Sequence, residues 1–228
     1  EDVTRDTVEL VRLCHYDPLK FVLHAYPWEQ EGWLQHDKGP DTWQAEVLQW
    51  IGEEAKKRAF DGHTPVLPIR KAVSSGHGVG KSTIIAWLTD FIMSTRPHSK
   101  GVVTANTSVQ LETKTWTAIT RWTQSCLTAP WFTINSARMY HRQFPKSWFV
   151  TPQTCREENS EAFAGQHAKD STSFYLFDED SAIPEIIHTV AEGGMTDGEP
   201  MQFRFGNCTR NNGSFYEACF GRTKAHWN

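Results

Sequence analysis

Residues 75–82 read Ser75-Gly76-His77-Gly78-Val79-Gly80-Lys81-Ser82, and Thr83 follows. Three glycines in five positions let the backbone curl with its N–H groups turned inward, a concave nest for phosphate oxygens. Lys81 can then reach the β- and γ-phosphates of a nucleotide, and the Ser82 hydroxyl can ligate Mg²⁺. The flanks agree. Residues 66–73 can end in a buried strand, and 83–92 read as an apolar helix. A helix N-terminus aimed at the phosphates adds the positive end of its dipole. The usual pattern has glycine six places before the lysine; here it is Ser75, a small residue that fits the position. Residues 75–83 are therefore the predicted nucleotide cradle.

A second stretch points the same way. Residues 172–177 form a short apolar, aromatic run that ends in Asp178-Glu179-Asp180. The composition predicts a buried strand, and a strand of this kind delivers a carboxylate to the sheet edge where ligands bind in doubly wound folds. Asp178 is placed to hold Mg²⁺ through water, and Glu179 to polarise the attacking water.

The chain has 228 residues, 22% of them charged and 12% aromatic, the balance of a folded α/β domain rather than a disordered segment. The net charge of −4 argues against a strongly basic nucleic-acid coat but leaves room for local basic patches. Ten tryptophans are expected to fill the core, with some at subunit interfaces. The five cysteines show no Cys-x-x-Cys spacing, which with the nucleotide signature suggests a reducing compartment. No apolar run approaches the roughly 20 residues a membrane span needs. The first residue is Glu1 and the last segment ends at Asn228 with no closing element, so the chain reads as a fragment of a longer protein.

Along the chain, the pattern predicts helices at 3–14, from Pro18 to about His24, and from Asp41 or Thr42 to about Phe60. Strands follow at 66–73 and 102–105. A helix over 109–127 carries an apolar stripe of Trp116, Ile119 and Trp122. Residues 137–153 read as one or two strands, turning near Pro145-Lys146. Residues 154–171 are expected to be a mobile polar loop. A helix near 184–192, a Gly/Asp-rich loop and a strand over 202–206 close the series. Strands alternating with helices predict a largely parallel sheet.

Weaker constellations stand beside these. Trp43-Gln44 offers an aromatic face and a two-faced amide, which suits adenine, or equally a plain helix start with a buried ring. Gly206-Asn207-Cys208-Thr209-Arg210 reads as a polar turn after a strand, or as groups that sense the γ-phosphate. His77 is either a helper at the γ-phosphate or a solvent-facing loop residue. Arg121, Arg138, Arg142, Arg156, Arg210 and Arg222 are candidates for an arginine supplied in trans. Glu157, Glu158 and Glu161 read as a solvated face.

With these pieces in order, the chain resembles the N-terminal ATPase domain of tailed-phage terminase large subunits, over roughly residues 17–220. The resemblance rests on Asp41-Thr42-Trp43-Gln44, the glycine loop with Lys81-Ser82, residues 102–107 with Gln110, Phe177-Asp178-Glu179 and residues 206–210. It implies a P-loop NTPase of the additional-strand, catalytic-glutamate (RecA-like) class, with a helical extension at 1–40 and an ATPase core at 41–228. It implies ATP and Mg²⁺, with Trp43 and Gln44 at the adenine, Ser82 and Asp178 at the metal, and Lys81 and Glu179 in catalysis. Asn207 and Thr209 would lie in the coupling motif, and Arg156 and Arg210 are the arginines favoured for action in trans. It further implies double-stranded DNA, a portal protein and a small terminase subunit as partners. The setting would be a homo-oligomeric ring, a pentamer, on a procapsid in the host cytoplasm, with no membrane. A nuclease domain would lie beyond Asn228, so this chain is expected not to cut DNA. Three residues depart from the family pattern: His77 stands where many members have arginine, Asp180 where a small residue is usual, and Cys208 where proline is frequent. The runner-up reading is a helicase or other remodelling P-loop ATPase; a small-molecule kinase and a slow nucleotide switch are more distant.

Overall fold

Two strands beside the candidate site are buried along their whole length, one of them an almost unbroken apolar run and the other alternating apolar residues with Gln202 and Arg204. They are β6 (Ser173–Asp178) and β7 (Met201–Gly206), with all six residues of each buried. The computed structural model describes residues 2–164 and 167–227. In chain order the elements before them are α1 (Asp2–Leu13), α2 (Pro18–Ala25), α3 (Thr42–Arg58), β1 (Ile69–Ser74), α4 (Lys81–Thr95) and β2 (Lys100–Ala105). Next comes α5 (Ser108–Gln110), which runs through a π-helical turn, Leu111–Thr115, into α6 (Trp116–Ser125). Short strands β3 (Phe132–Ile134), β4 (Met139–His141) and β5 (Phe149–Pro152) precede β6. Helix α7 (Glu185–Gly193) lies between β6 and β7, and α8 (Ser214–Cys219) follows β7.

The strands form one sheet in the order β1-β7-β6-β2-β5-β4-β3. β1, β7, β6, β2 and β5 are parallel, and β4 and β3 add antiparallel pairs at one edge. β7 sits between β1, which leads into the glycine loop, and β6, which delivers Asp178. That inserted strand is the arrangement expected from the resemblance given above. The predicted turn between strands at 137–153 corresponds to β4 and β5. β3 was not anticipated; three residues carry too little pattern to announce a strand. Of the expected mobile loop at 154–171, residues 165 and 166 lie outside the described residues. A 3₁₀ segment, Glu157–Phe163, is pinned by fully buried Phe163, whose carbonyl accepts the Tyr175 hydroxyl at 2.8 Å.

α4 is mostly apolar because it is enclosed on every side from Ile84 to Thr95. Phe21 of α2 meets Phe91 of α4 edge-on at 5.7 Å, so the N-terminal helices join the main core. Several tryptophans act as the expected filler. Trp87 and Trp122 meet at 5.1 Å, with Tyr26, Trp28 and Trp33 packed around them. Among the described residues no helix is long and apolar enough to cross a membrane.

One acid is enclosed in this core. Asp90 of α4 is 1% exposed and accepts hydrogen bonds from Tyr26 (2.8 Å) and Thr123 (2.6 Å). Burial pushes its carboxyl up to about 7, against those two hydrogen bonds. Between the ordinary carboxyl range near pH 4 and pH 7, the unfolded chain releases this proton while the folded chain keeps it. Its contribution to stability is therefore whole at low pH, falls through that window and levels off above it. Asp90→Asn should remove this descent. The urea midpoint of the variant, relative to the parent, should rise from pH 4 to pH 7 by the equivalent of a few kcal/mol. Parallel curves for the two proteins would show that Asp90 does not titrate there.

Candidate nucleotide site

The glycine loop joins β1 to α4. Ser75 N donates to Gly206 O at 2.9 Å, which ties the loop to the end of β7. Gly78 and Gly80 sit at φ 74° and 89°, where a side chain is strained. At Gly80 a Cβ would also come within 2.7 Å of Gln44 Nε2. Gln44 is buried and its amide is used at both ends. Oε1 accepts Asp41 N (2.9 Å), completing a capping box at the start of α3, and Nε2 donates to Gly80 O (3.1 Å). It thus fastens α3 to the phosphate loop. Trp43 is half-buried and lines a surface cleft with Trp50, Lys71 and Phe220.

Lys81 is 5% exposed; its Nζ donates to Gly76 O at 2.7 Å and lies 3.4 Å from Glu179 Oε1. His77 is largely exposed on the lip of the loop, with Nδ1 3.9 Å from the same oxygen. Asp178 is buried at the end of β6. Its Oδ2 accepts Ser82 Oγ (2.8 Å) and Thr115 Oγ1 (2.7 Å), and its Oδ1 accepts Glu179 N (3.0 Å). Burial raises the Asp178 carboxyl above its usual range, although the hydrogen bonds from Thr115 and Ser82 oppose the shift. Its charged form is short of positive partners, and a cation would supply one.

The donors fit Mg²⁺. A carboxylate and a hydroxyl, converging at 2.8 Å, are hard oxygen ligands. No cluster of three or more metal-binding side chains occurs among the described residues. Ser82 and Asp178 alone cannot cage an ion, so a magnesium here would take its other ligands from phosphate and water, the common arrangement for that metal.

The predicted residues are brought together: Lys81, Ser82, Asp178 and Glu179 converge on one site although about a hundred residues separate the two motifs. Asn207 and Thr209 follow β7 beside them. Cys208 N donates to Ser74 Oγ (3.4 Å), and Thr209 N to Asn207 O (2.9 Å). The arginines divide. Arg138 and Arg142 donate to the backbone oxygens of Pro145 and Phe132, Arg121 lies over Trp33 at 3.9 Å, and Arg222 is 3.6 Å from Glu217. Arg156 and Arg210 are exposed, and Arg210 lines a cavity of about 250 Å³ between residues 180–185 and 208–216. Thr115 was not foreseen. It reaches Asp178 from a π-helical turn, and nothing in the local sequence marks it.

Three comparisons bear on this geometry. No family model matches the chain. A curated protein, the probable terminase large subunit of Enterobacteria phage P7, is 25% identical over 217 residues, covering 92% of this chain and 41% of that protein. The chain therefore spans about two fifths of the length of that relative. Among solved structures, the large terminase ATPase domain of Thermus phage P74-26 covers 65% of this chain and 62% of its own, at 18% identity and a TM-score of 0.46. The large terminase of the thermophilic bacteriophage D6E, in complex with ADP, covers 72% and 38%, at 15% identity and a TM-score of 0.48.

Proposed function

We propose that this chain is the ATP-hydrolysing motor domain of a phage DNA-packaging terminase, the large subunit. One observation carries the reading: the phosphate-loop pair Lys81 and Ser82 lies against the carboxylates of Asp178 and Glu179. The similarity to the phage P7 protein over most of the chain supports the family, and the inserted strand β7 supports the NTPase class.

The residues divide the work. The loop's N–H groups and the N-terminus of α4 bind the phosphates. Lys81 shifts its hydrogen bonds from Gly76 O and its charge from Glu179 to the γ-phosphate. Magnesium, held by Ser82 and Asp178, would spread the charge of the β- and γ-phosphates. Thr115 fixes the carboxylate plane of Asp178 for that task. Glu179, released from Lys81, orients water in line with the γ-phosphate and takes its proton. Gly206 and Cys208 are hydrogen-bonded to Ser75 and Ser74, so loss of phosphate from the loop can move the coupling segment with Asn207 and Thr209.

In this reading the movement drives double-stranded DNA through a portal in a ring of identical subunits, with a small terminase subunit as a further partner. Arg156 or Arg210 is the arginine offered to a neighbour's nucleotide, and Trp43 stacks on the adenine. Phosphate release by the purified chain, with ATP, Mg²⁺ and duplex DNA, is the test. The expected result is release that needs Mg²⁺, needs no small-molecule acceptor and is unaccompanied by strand separation. Transfer of phosphate to a metabolite, or unwinding of the duplex, would replace this reading with the kinase or helicase one.

A further inference from the structure

Next to the hydrolysis site lies a buried charged cluster that the scheme above leaves unused. Asp180 is 1% exposed, Arg204 2% and His188 6%. They come from the turn after β6, from β7 and from α7. Arg204 Nε donates to Asp180 Oδ2 at 2.7 Å, and Nη2 lies 2.6 Å from the same oxygen. His188 Nε2 is 3.2 Å from Asp180 Oδ1 and 3.2 Å from Arg204 Nη2. Oδ1 has no hydrogen-bond donor, and Nε2, the ring nitrogen nearest it, accepts from Arg204 Nη2. Arg204 also donates from Nη1 to Ser214 Oγ (3.0 Å), and its guanidinium lies over the Trp227 ring at 4.9 Å.

A buried ion cluster is weak evidence of stabilisation, because apolar side chains of the same volume often serve as well. What such a cluster does supply is fixed geometry. The group that stands to be fixed is Glu179, which sits between two clamped neighbours. Asp178 is held by Ser82 and Thr115, and Asp180 by Arg204. Glu179 itself is at φ 51°, ψ 45°, a left-handed conformation that a non-glycine residue keeps only when its surroundings impose it. The other end of the clamp belongs to β7. Gly206, two residues beyond Arg204, packs so close to the turn that a Cβ there would come within 3.0 Å of Asp180 N.

We propose that Arg204 and Asp180 are positioning residues for hydrolysis: they hold the left-handed backbone of Glu179 so that its carboxylate faces the phosphate loop, and they tie it to the strand that ends in the coupling segment. A displacement of the end of β7 then turns the carboxylate away from its water, and the return of β7 restores it. Residue 180 is thereby part of the mechanism in this chain and not a tolerated replacement for a smaller side chain. The inference rests on the hydrolysis reading above.

The test uses the 228-residue chain and three variants: Asp180→Asn, Arg204→Lys, and the pair Asp180→Asn with Arg204→Met, which leaves no unmatched buried charge. ATP affinity is read by calorimetry with Mg²⁺, and single-turnover hydrolysis is normalised to bound nucleotide. Affinity should stay within about threefold of the parent while hydrolysis slows by about 10- to 100-fold, the scale of a small misplacement of a reacting group. In a Glu179→Gln background the same substitutions should cause no further slowing, because they act through that carboxylate. Parent-like hydrolysis in any folded variant overturns the proposal, and so does full slowing on top of Glu179→Gln. Should Asp180→Asn fail to fold, the paired variant and Arg204→Lys decide by the same criteria. A parent chain that binds no ATP would instead remove the hydrolysis reading itself.

Discussion

Glu179→Gln should leave ATP binding intact and slow hydrolysis by about 10²- to 10⁴-fold, the usual worth of a positioned general base. The amide keeps the size and the hydrogen-bonding oxygen of the side chain but cannot take a proton from water. Glu179 is partly exposed and lies 3.4 Å from Lys81 and 3.9 Å from His77, so the substitution removes little from the fold. Binding should even strengthen slightly, since the γ-phosphate loses a negative neighbour. Rapid-quench measurement of phosphate formation, alongside calorimetric titration with ATP, separates the two effects. A Glu179→Gln protein that turns over at the parent's rate would move the base to another residue. A variant that no longer binds would make Glu179 part of the cradle.

Lys81→Ala should fail earlier in the cycle. Lys81 opens α4, where alanine is an excellent helix former, so the fold should survive. What goes is a charge that is 5% exposed and can donate to phosphate from within the loop. Hydrogen bonds to charged groups contribute about 1.5–3 kcal/mol each, so affinity for ATP should drop by about tenfold or more. Turnover should fall by a further 10²-fold or so, because the ammonium is preorganised where charge builds in the transition state. The comparison that matters is between ATP and ADP. Loss of affinity for ATP that exceeds the loss for ADP places Lys81 on the γ-phosphate; equal losses place it on the β-phosphate alone.

The parts of this protein that were legible in its sequence are those whose task demands neighbouring residues. A phosphate nest needs closely spaced glycines ahead of a lysine, and Gly76, Gly78 and Gly80 supply them just before Lys81. A strand that ends in acids needs an apolar run followed at once by carboxylates, and residues 173–179 are that run. The alternation of strands and helices was long enough to show a parallel sheet. Contacts assembled from distant segments left no such trace. Thr115 reaches Asp178 across 63 residues, and Asp180, Arg204 and His188 lie on three separate elements. Gln44 shows a third situation. The helix start is legible from Asp41 or Thr42 as a cap, yet neither the capping-box bond of Gln44 to Asp41 nor its second bond, to Gly80 O, which depends on how α3 is packed against the loop, can be read locally. Within 154–164 the polar composition hides a buried ring, Phe163, that no local pattern marks.

The central claim is that Ser82 and Asp178 hold one metal ion against a nucleotide bound by the loop. Pulsed EPR with Mn²⁺ in place of Mg²⁺ reads this directly through the coupling of the metal to the ³¹P nuclei of ATP. The account predicts weak binding of Mn²⁺ alone, strong binding with ATP accompanied by phosphorus coupling, and loss of the protein-bound signal in Asp178→Asn. Tight Mn²⁺ binding without nucleotide, or an unchanged phosphorus-coupled signal in Asp178→Asn, would contradict it.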